Sequence, residues 1–360
     1  MSALQPGSTV GILGGGQLAR MLALAAARLG YRVHVYDPDS NAPAAQVANR
    51  HFISGYDNHH ALREFAAGCD VVTYEFENVP VEAARLIETS APVRPGPRAL
   101  EAAQDRLVEK TFLNKAGIET APFSAVSNDE DLKAALAAFD GNGVLKTRRM
   151  GYDGKGQHLF RNAGHGECDG IFQAMGAVPL ILEGYVPFVR EISVIAVRGI
   201  DGKFAAFDPA ENVHRSGILH TSAVPASVSS QTAEAAKSAA RSIMNELDYV
   251  GIIGIEFFVL EDGSLLANEM APRVHNSGHW TEAACIVSQF EQHVRAITGL
   301  PLGDPARHHD CVMENLIGDD IGRIESLCAQ SAVVVHHYGK VEARPGRKMG
   351  HFTRLGAAKS

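Results

Sequence analysis

Cysteine is scarce in this chain: five residues in 360, set singly at Cys69, Cys168, Cys285, Cys311 and Cys328. No C-x-x-C pair occurs, so neither a zinc ribbon nor a disulfide framework is indicated, and the thiols read as buried groups of a reducing compartment. No apolar run approaches the length of a membrane span, and the first residues lack the pattern of a signal peptide. A cytoplasmic protein without membrane partners is expected. An excess of basic residues is also missing, since 33 Lys and Arg face 41 Asp and Glu for a net charge of −8. That balance argues against nucleic acid as a partner. Repeats and low-complexity tracts are absent. What remains, 46% hydrophobic and 21% charged residues, is ordinary globular composition, long enough for two or three domains.

The informative stretch runs from Gly254 to the single tryptophan, Trp280. Residues 255–260 and 264–270 read as two strands joined at Asp262-Gly263, a strong hairpin signal. A two-residue turn there sets Glu256 directly opposite Glu269, on one face of the hairpin. Ile255, Phe257, Val259, Leu266, Asn268 and Met270 then form the other, mostly apolar face. Opposed carboxylates repel unless a cation lies between them. Mg²⁺, a hard ion with oxygen ligands, fits that need; a solvent-facing pair of acids is the plainer reading. The loop that follows carries Arg273, His275, Asn276, Ser277 and His279, a concentration of donors suited to a phosphate and its chemistry. From Arg273 a guanidinium can grip phosphate bidentately, and His275, ordinarily titrating near neutrality, can hydrogen-bond or move a proton. The plainer alternatives are a structural ion pair for Arg273 and a helix cap for His275.

In chain order, residues 9–13 are a strand, 17–29 a helix and 32–36 a second strand, with Gly14-Gly15-Gly16 at the first turn. This is a βαβ unit whose G-x-G-x-x-A turn and Asp37 approach the dinucleotide fingerprint, a weak signal alone. A phosphate outside any dinucleotide, or no ligand, are the alternatives. A buried strand over 69–76 ends at Glu75 and Glu77, either able to accept from ribose hydroxyls. Residues 1–100 thus form a doubly wound domain. A linker helix and a small α+β unit follow over 101–185, with Lys146 on a strand and a glycine-rich loop at 151–157. The segment Glu183, Gly184, Tyr185, Val186 offers backbone groups to an adenine edge. Residues 186–360 form the last domain. Within it, 190–198 is a strand, 212–217 a polar loop, 229–247 a helix, 280–298 a helix and 333–337 a strand, before a basic tail at 344–351.

These motifs together resemble the ATP-grasp superfamily and, within it, the N5-carboxyaminoimidazole ribonucleotide synthetase family. The resemblance rests on GGQL at 15–18, YEFENV at 74–79, GYDGKGQ at 151–157, NE at 268–269, PRVHNSGHW at 272–280 and RPGRKMGH at 344–351. It implies a mixed α/β and α+β architecture: a Rossmann-like N-terminal domain, an ATP-grasp lid and a C-terminal catalytic domain. It further implies ATP-dependent carboxylation of aminoimidazole ribonucleotide by bicarbonate through carboxyphosphate, in purine biosynthesis, by a homodimer using Mg²⁺. On that resemblance ATP contacts fall to Arg106, Lys146, Gly151, Tyr152, Asp153, Gly154, Lys155, Gly156, Gln157, Glu183, Gly184, Tyr185, Val186, Glu191, His214 and Asn268. Metal falls to Glu256 and Glu269. The ribonucleotide falls to Gln17, Leu18, Glu75, Tyr152, Asp153, Asn276, Ser277, Lys340, Arg347 and Lys348, and the reacting carboxyl group to Arg273, His275 and Lys340. Ala19 replaces a frequent glycine, and the basic tail is followed closely by Ser360 where members often continue into another helix.

Three rivals stand beside this reading. A nicotinamide dehydrogenase would rest on the first glycine turn and leave the hairpin and tail unexplained. Another ATP-grasp ligase, such as a formate-dependent glycinamide ribonucleotide transformylase, differs in the one-carbon acid it activates. A non-catalytic nucleotide-binding scaffold would not need both metal acids and the lid lysine.

Overall fold

The run Thr9–Leu13 (β1) is apolar at every position after the first, and those positions are all buried, as a central parallel strand requires. The computed structural model describes residues 2–151 and 156–358. In it β1 lies between β2 (Arg32–Tyr36) and β4 (Val71–Tyr74), with β3 (Arg50–Phe52) outside β2, all parallel. Helix α1 (Gln17–Arg28) makes the first crossover and buries Leu18, Met21, Leu22 and Ala25, the face its spacing predicts. β4 stops short of the expected span, so Glu75 and Glu77 stand just past its carboxyl end.

Helix α2 (Arg106–Lys115) leads into a four-stranded antiparallel sheet built from β5 (Phe123–Val126), β6 (Gly143–Thr147), β7 (Gln157–Phe160) and β8 (Leu180–Gly184), in the order β5-β8-β6-β7. Asp105 caps α2 by accepting from the Leu107 and Val108 amides. Its carboxylate also takes a two-pronged contact from Arg148, at 2.9 and 2.8 Å, which ties the end of β6 to the start of α2.

The largest sheet has nine antiparallel strands: β9 (Arg190–Arg198), β10 (Phe204–Ala206), β11 (Ala210–Arg215), β12 (Ile218–Val224), β13 (Gly251–Val259), β14 (Leu265–Ala271), β15 (His309–Ile317), β16 (Val333–His337) and β17 (Lys348–Ala358). Their order is β14-β13-β9-β11-β12-β15-β17-β16, with β10 beside β9. Helix α3 (Ser230–Glu246) covers it with Ala236, Ala240, Ile243 and Met244. Three expectations change here. Residues 212–217 are mostly the end of β11, whose alternating polar side chains disguise a strand with one wet face. Residues 280–298 are not one helix: Thr281–Ala284 is followed by a break, and Ser288 caps α4 (Gln289–Thr298) by accepting from Glu291 N. The basic tail enters a long strand, β17. No helix among the described residues is long and apolar enough to cross a membrane.

Helix α4 also keys the parallel sheet to the large one. His293 accepts from Ile252 N at Nδ1, 3.1 Å, and meets Thr73 Oγ1 at Nε2, 2.8 Å. Burial pushes His293 down to about 3, and His275 is likewise held at about 3. The unfolded chain binds these protons near pH 6.5 while the folded one does not, so stability present at pH 7 is lost as pH falls from 6.5 toward 3. Each histidine should cost about 1 kcal/mol by pH 5.5. Urea midpoints of the wild type and His293→Gln, compared from pH 7.5 to 5, check this; the variant should have the shallower slope.

Candidate active site

The three sheets meet around a cleft of about 440 Å³. Its floor is the hairpin β13 and β14, where Glu256 faces Glu269 as expected. The route to that register differs. Leu260 N bonds Ser264 O and Gly263 N bonds Leu260 O, which makes a three-residue turn with Gly263 at φ +83°. This shifts the pairing by one residue, so Phe257 faces Ala267. Asn268 is then an extra residue, a β-bulge that restores the opposition of Glu256 and Glu269. The apolar face accordingly takes Leu265 and Ala267, and not Leu266 and Asn268.

Burial, then the neighbouring Glu269 charge, pushes the Glu256 carboxyl up to about 7. Burial acts upward on Glu269 as well, but Arg106, Lys146 and Arg273 outweigh it and hold Glu269 below the usual carboxylate range. Arg106 Nη1 lies 3.1 Å from Glu269 Oε2. The Asn268 side-chain oxygen beside them is buried and has no partner among the described residues. Two opposed carboxylates, of which Glu256 is short of countercharge, and an orphaned amide oxygen suit a hard divalent cation, whose remaining ligands would be phosphate oxygens and water.

Cations line the opposite wall. Lys146 Nζ reaches Glu183 Oε2 at 3.0 Å, and Lys110 reaches the same oxygen at 3.3 Å and the Asn268 carbonyl at 3.1 Å. Burial raises Glu183, yet the two ammonium groups pull it down to about 2. Lys146 itself is lowered by burial, with Glu183 opposing that shift. Glu109, whose Oε1 accepts from Met270 N at 2.6 Å, is pushed up to about 8 by burial and then by Glu269. It therefore adds little negative charge at neutral pH. Lys110 and Glu109 were missed in the sequence; their signal was the spacing of three and four residues from Arg106 on one helix.

Val144, Phe188 and Phe258 give the cleft an apolar flank, the two phenyl rings stacked 4.6 Å apart. In the segment expected at an adenine edge, the Gly184 amide is taken by Pro122 O and the Tyr185 amide by Asn142 O. Tyr185 turns its ring to Arg161. Glu191 and His214 line the cleft and bond each other at 3.0 Å. Burial acts to lower His214, but Glu191 and Glu256 raise it on balance. Gly151 and Gln157 line the cleft too. Gly156 carries φ +69°, and a Cβ there would meet Thr147 Oγ1 at 2.8 Å. Tyr152, Asp153, Gly154 and Lys155 lie outside the described residues.

Arg273 and His275 reach the cleft from the loop after β14, with Asn276 beside them. Arg273 closes an ion pair, Nε to Glu77 Oε2 at 2.5 Å, and Nη1 bonds Val274 O. His275 makes no side-chain cap; its Nδ1 meets Ser277 Oγ at 2.8 Å and its Nε2 lies 3.7 Å from Glu256. Burial first, then Arg273 and Lys348, keeps His275 neutral at about 3. A neutral ring so placed can donate a hydrogen bond, and its burial weakens it as a base.

The glycine turn contributes in an unexpected way. Asp37 accepts from Gly15 N at 2.7 Å, and Glu75 accepts from Gly16 N and Ala19 N. Two of the chain's own carboxylates thus occupy the place a dinucleotide pyrophosphate would take. The Gln17 and Leu18 amides have no partner among the described residues, and both residues line the cleft. Lys348 lines it as well, whereas Lys340 holds the Lys348 carbonyl at 2.7 Å and Arg347 the Glu342 carbonyl at 2.9 Å. Glu75, Gly156, Glu183, Gly184, Tyr185, Val186, Ser277, Lys340 and Arg347 stand behind or beside the lining.

Similarity to known proteins runs along the whole chain. Residues 7–104 match the ribonucleotide synthetase preATP-grasp domain, 111–290 the ATP-grasp domain, and 311–360 the phosphoribosylaminoimidazole carboxylase C-terminal domain. N5-carboxyaminoimidazole ribonucleotide synthase of Brucella melitensis is 59% identical over 98% of both chains. The Staphylococcus aureus N5-carboxyaminoimidazole synthetase complexed with ADP superposes with a TM-score of 0.93 at 36% identity, over 99% of this chain and 95% of that one. The Aspergillus clavatus synthase in complex with ADP and 5-aminoimidazole ribonucleotide gives 0.90 at 31% identity, over 98% and 94%. Identity this high, sustained across all three sheets and the cleft between them, has one meaning: the chain belongs to the N5-carboxyaminoimidazole ribonucleotide synthase family of ATP-grasp enzymes.

Proposed function

We propose that the cleft carboxylates 5-aminoimidazole ribonucleotide with bicarbonate at the expense of ATP, releasing ADP and phosphate, in purine biosynthesis. The observation that carries this reading is the cation-seeking pair Glu256 and Glu269 set beside Arg273 and His275, opposite the unpartnered amides of Gln17 and Leu18. Adenine suits the flank of Val144, Phe188 and Phe258, and the triphosphate suits the wall of Arg106 and Lys146. Mg²⁺, held by Glu256 and Glu269 with Asn268 nearby, would draw charge from the phosphate oxygens. Bicarbonate is a poor electrophile, and receiving the γ-phosphoryl group as carboxyphosphate activates it. Lys146 and Arg106 offset charge on the transferred group, and Arg273 orients the bicarbonate oxygens. His275 donates to the carboxyl group as phosphate departs, and the ribonucleotide amine then attacks the CO₂ released, forming the N–C bond and giving up its proton to the phosphate. Gln17, Leu18 and Lys348 hold the ribonucleotide phosphate, with Asn276 completing that side. The assembly is read as a homodimer, to be checked by sedimentation equilibrium.

ADP formation measured with ATP, bicarbonate and aminoimidazole ribonucleotide, omitting each in turn, tests the reading. Full turnover should need all three; turnover with formate in place of bicarbonate would overturn it. Lys146→Ala should cost roughly 3 kcal/mol of transition-state stabilisation, about a hundredfold in kcat/KM. An unchanged rate would remove Lys146 from the phosphate wall.

A further inference from the structure

Two buried hydroxyls outside the cleft lead directly to one ring nitrogen inside it. Ser193 Oγ donates to Ser277 Oγ at 2.6 Å, and Ser277 Oγ meets His275 Nδ1 at 2.8 Å. Both serines are sealed from solvent, at 1% and 0% exposure. Ser193 lies on β9 directly across from Glu256, so the chain of hydroxyls runs alongside the opposed carboxylates. The backbone of His275 is pinned as well: Gln289 accepts from its N–H at 2.9 Å and donates to its carbonyl at 2.8 Å. The ring rests on Gly254, where a Cβ would come within 2.6 Å of the His275 Cβ and 2.9 Å of its Cγ. Little room is left for the imidazole to turn over.

A hydroxyl has one proton to give. Ser193 Oγ has no other hydrogen bond among the described residues, so its buried proton has only Ser277 to go to. Having accepted that bond, Ser277 points its own proton at His275 Nδ1. Run in reverse, the chain would strand the Ser193 proton in a dry interior, which is costly for a buried donor. We propose that Ser193 and Ser277 are positioning residues that fix His275 as the Nε2–H tautomer, presenting a hydrogen-bond donor to the cleft. That this donor serves the carboxyl group rests on the function proposed above.

The test is the tautomer itself, read by two-bond ¹H–¹⁵N correlation on full-length protein labelled at histidine, with His275 assigned by its loss in His275→Gln. The wild type should give the Nε2–H pattern. Ser277→Ala should shift the His275 signals toward a mixture, and so should Ser193→Ala, because a water entering the vacated space can take the Ser277 proton, while Ser193→Thr keeps the wild-type pattern. His293, whose Nδ1 is fixed by Ile252 N–H, should hold its own pattern in every variant and so reports an intact fold. In parallel, Ser193→Ala should lower kcat roughly tenfold to a hundredfold, with KM for ATP unchanged and activity restored by Ser193→Thr. An Nδ1–H pattern in the wild type, or an Nε2–H pattern that survives both alanine variants, overturns the relay. A tautomer that shifts with kcat unchanged upholds the relay and contradicts the role of His275 at the carboxyl group.

Discussion

Glu256→Gln and Glu269→Gln should each lower turnover by about a thousandfold or more at low magnesium, since each removes an anionic oxygen from the site proposed to hold Mg²⁺. In the metal-free protein the two variants should part. Glu256, raised from 4.5 to about 7, holds a proton in the fold that the unfolded chain has released. The folded state therefore loses stability as pH rises from 4.5 to 7, and Glu256→Gln is spared that loss. Its stability should exceed the wild type's by on the order of 1–3 kcal/mol above pH 7, with little difference below pH 4.5. Glu269 is held below its ordinary value, with Arg106 at 3.1 Å, so its charge stabilises the fold and Glu269→Gln should destabilise it. Urea titrations in chelator check the signs, and rates across a magnesium series check the site. Wild-type turnover by either variant at low magnesium would contradict the metal assignment.

Arg273→Ala is expected to cost about a thousandfold in carboxylated product, the scale of an arginine that steadies a transferring phosphoryl group. Nucleotide affinity should remain near normal, because the proposed sites for adenine and for the metal end of the triphosphate lie elsewhere in the cleft. Arg273 already pairs with Glu77 through Nε, so truncation also strands a half-buried carboxylate. Glu77→Gln separates the two effects: it relaxes the ion pair but leaves the guanidinium, and should retain most activity. Arg273→Lys should recover little, since a lysine cannot reproduce a two-pronged grip. Product formation and ADP affinity, measured side by side, decide it. A fall in affinity that matches the fall in product would make Arg273 a nucleotide ligand or a structural residue.

Much of this was legible before any coordinates. The spans of β1, β2 and β9 follow from apolar runs bounded by glycine or charge. The opposition of Glu256 and Glu269 was also readable, but for an incomplete reason: a longer turn and a bulge at Asn268 cancel each other, and neither leaves a mark in an alternating pattern. β11 was hidden because Asn212 and His214 make a sheet face polar where it meets the cleft. The break before α4 turns on Ser288 as a cap, a signal overridden by the apolar residues around it. Lys110 and Glu109 share a helix face with Arg106 by spacing, but only their burial sets them apart from a solvated charged face. The neutrality of His275 depends on dense packing and on Arg273 and Lys348 nearby, and no residue spacing encodes that.

The fate of bicarbonate oxygen is the most direct measurement of all. With ¹⁸O-labelled bicarbonate, ATP and aminoimidazole ribonucleotide, attack on the γ-phosphorus makes a P–O bond that survives when carboxyphosphate releases CO₂. One labelled oxygen should therefore appear in each phosphate formed, in step with carboxylated ribonucleotide. Phosphate free of label, while ADP and carboxylated product still accumulate, would contradict phosphoryl transfer to bicarbonate in this cleft.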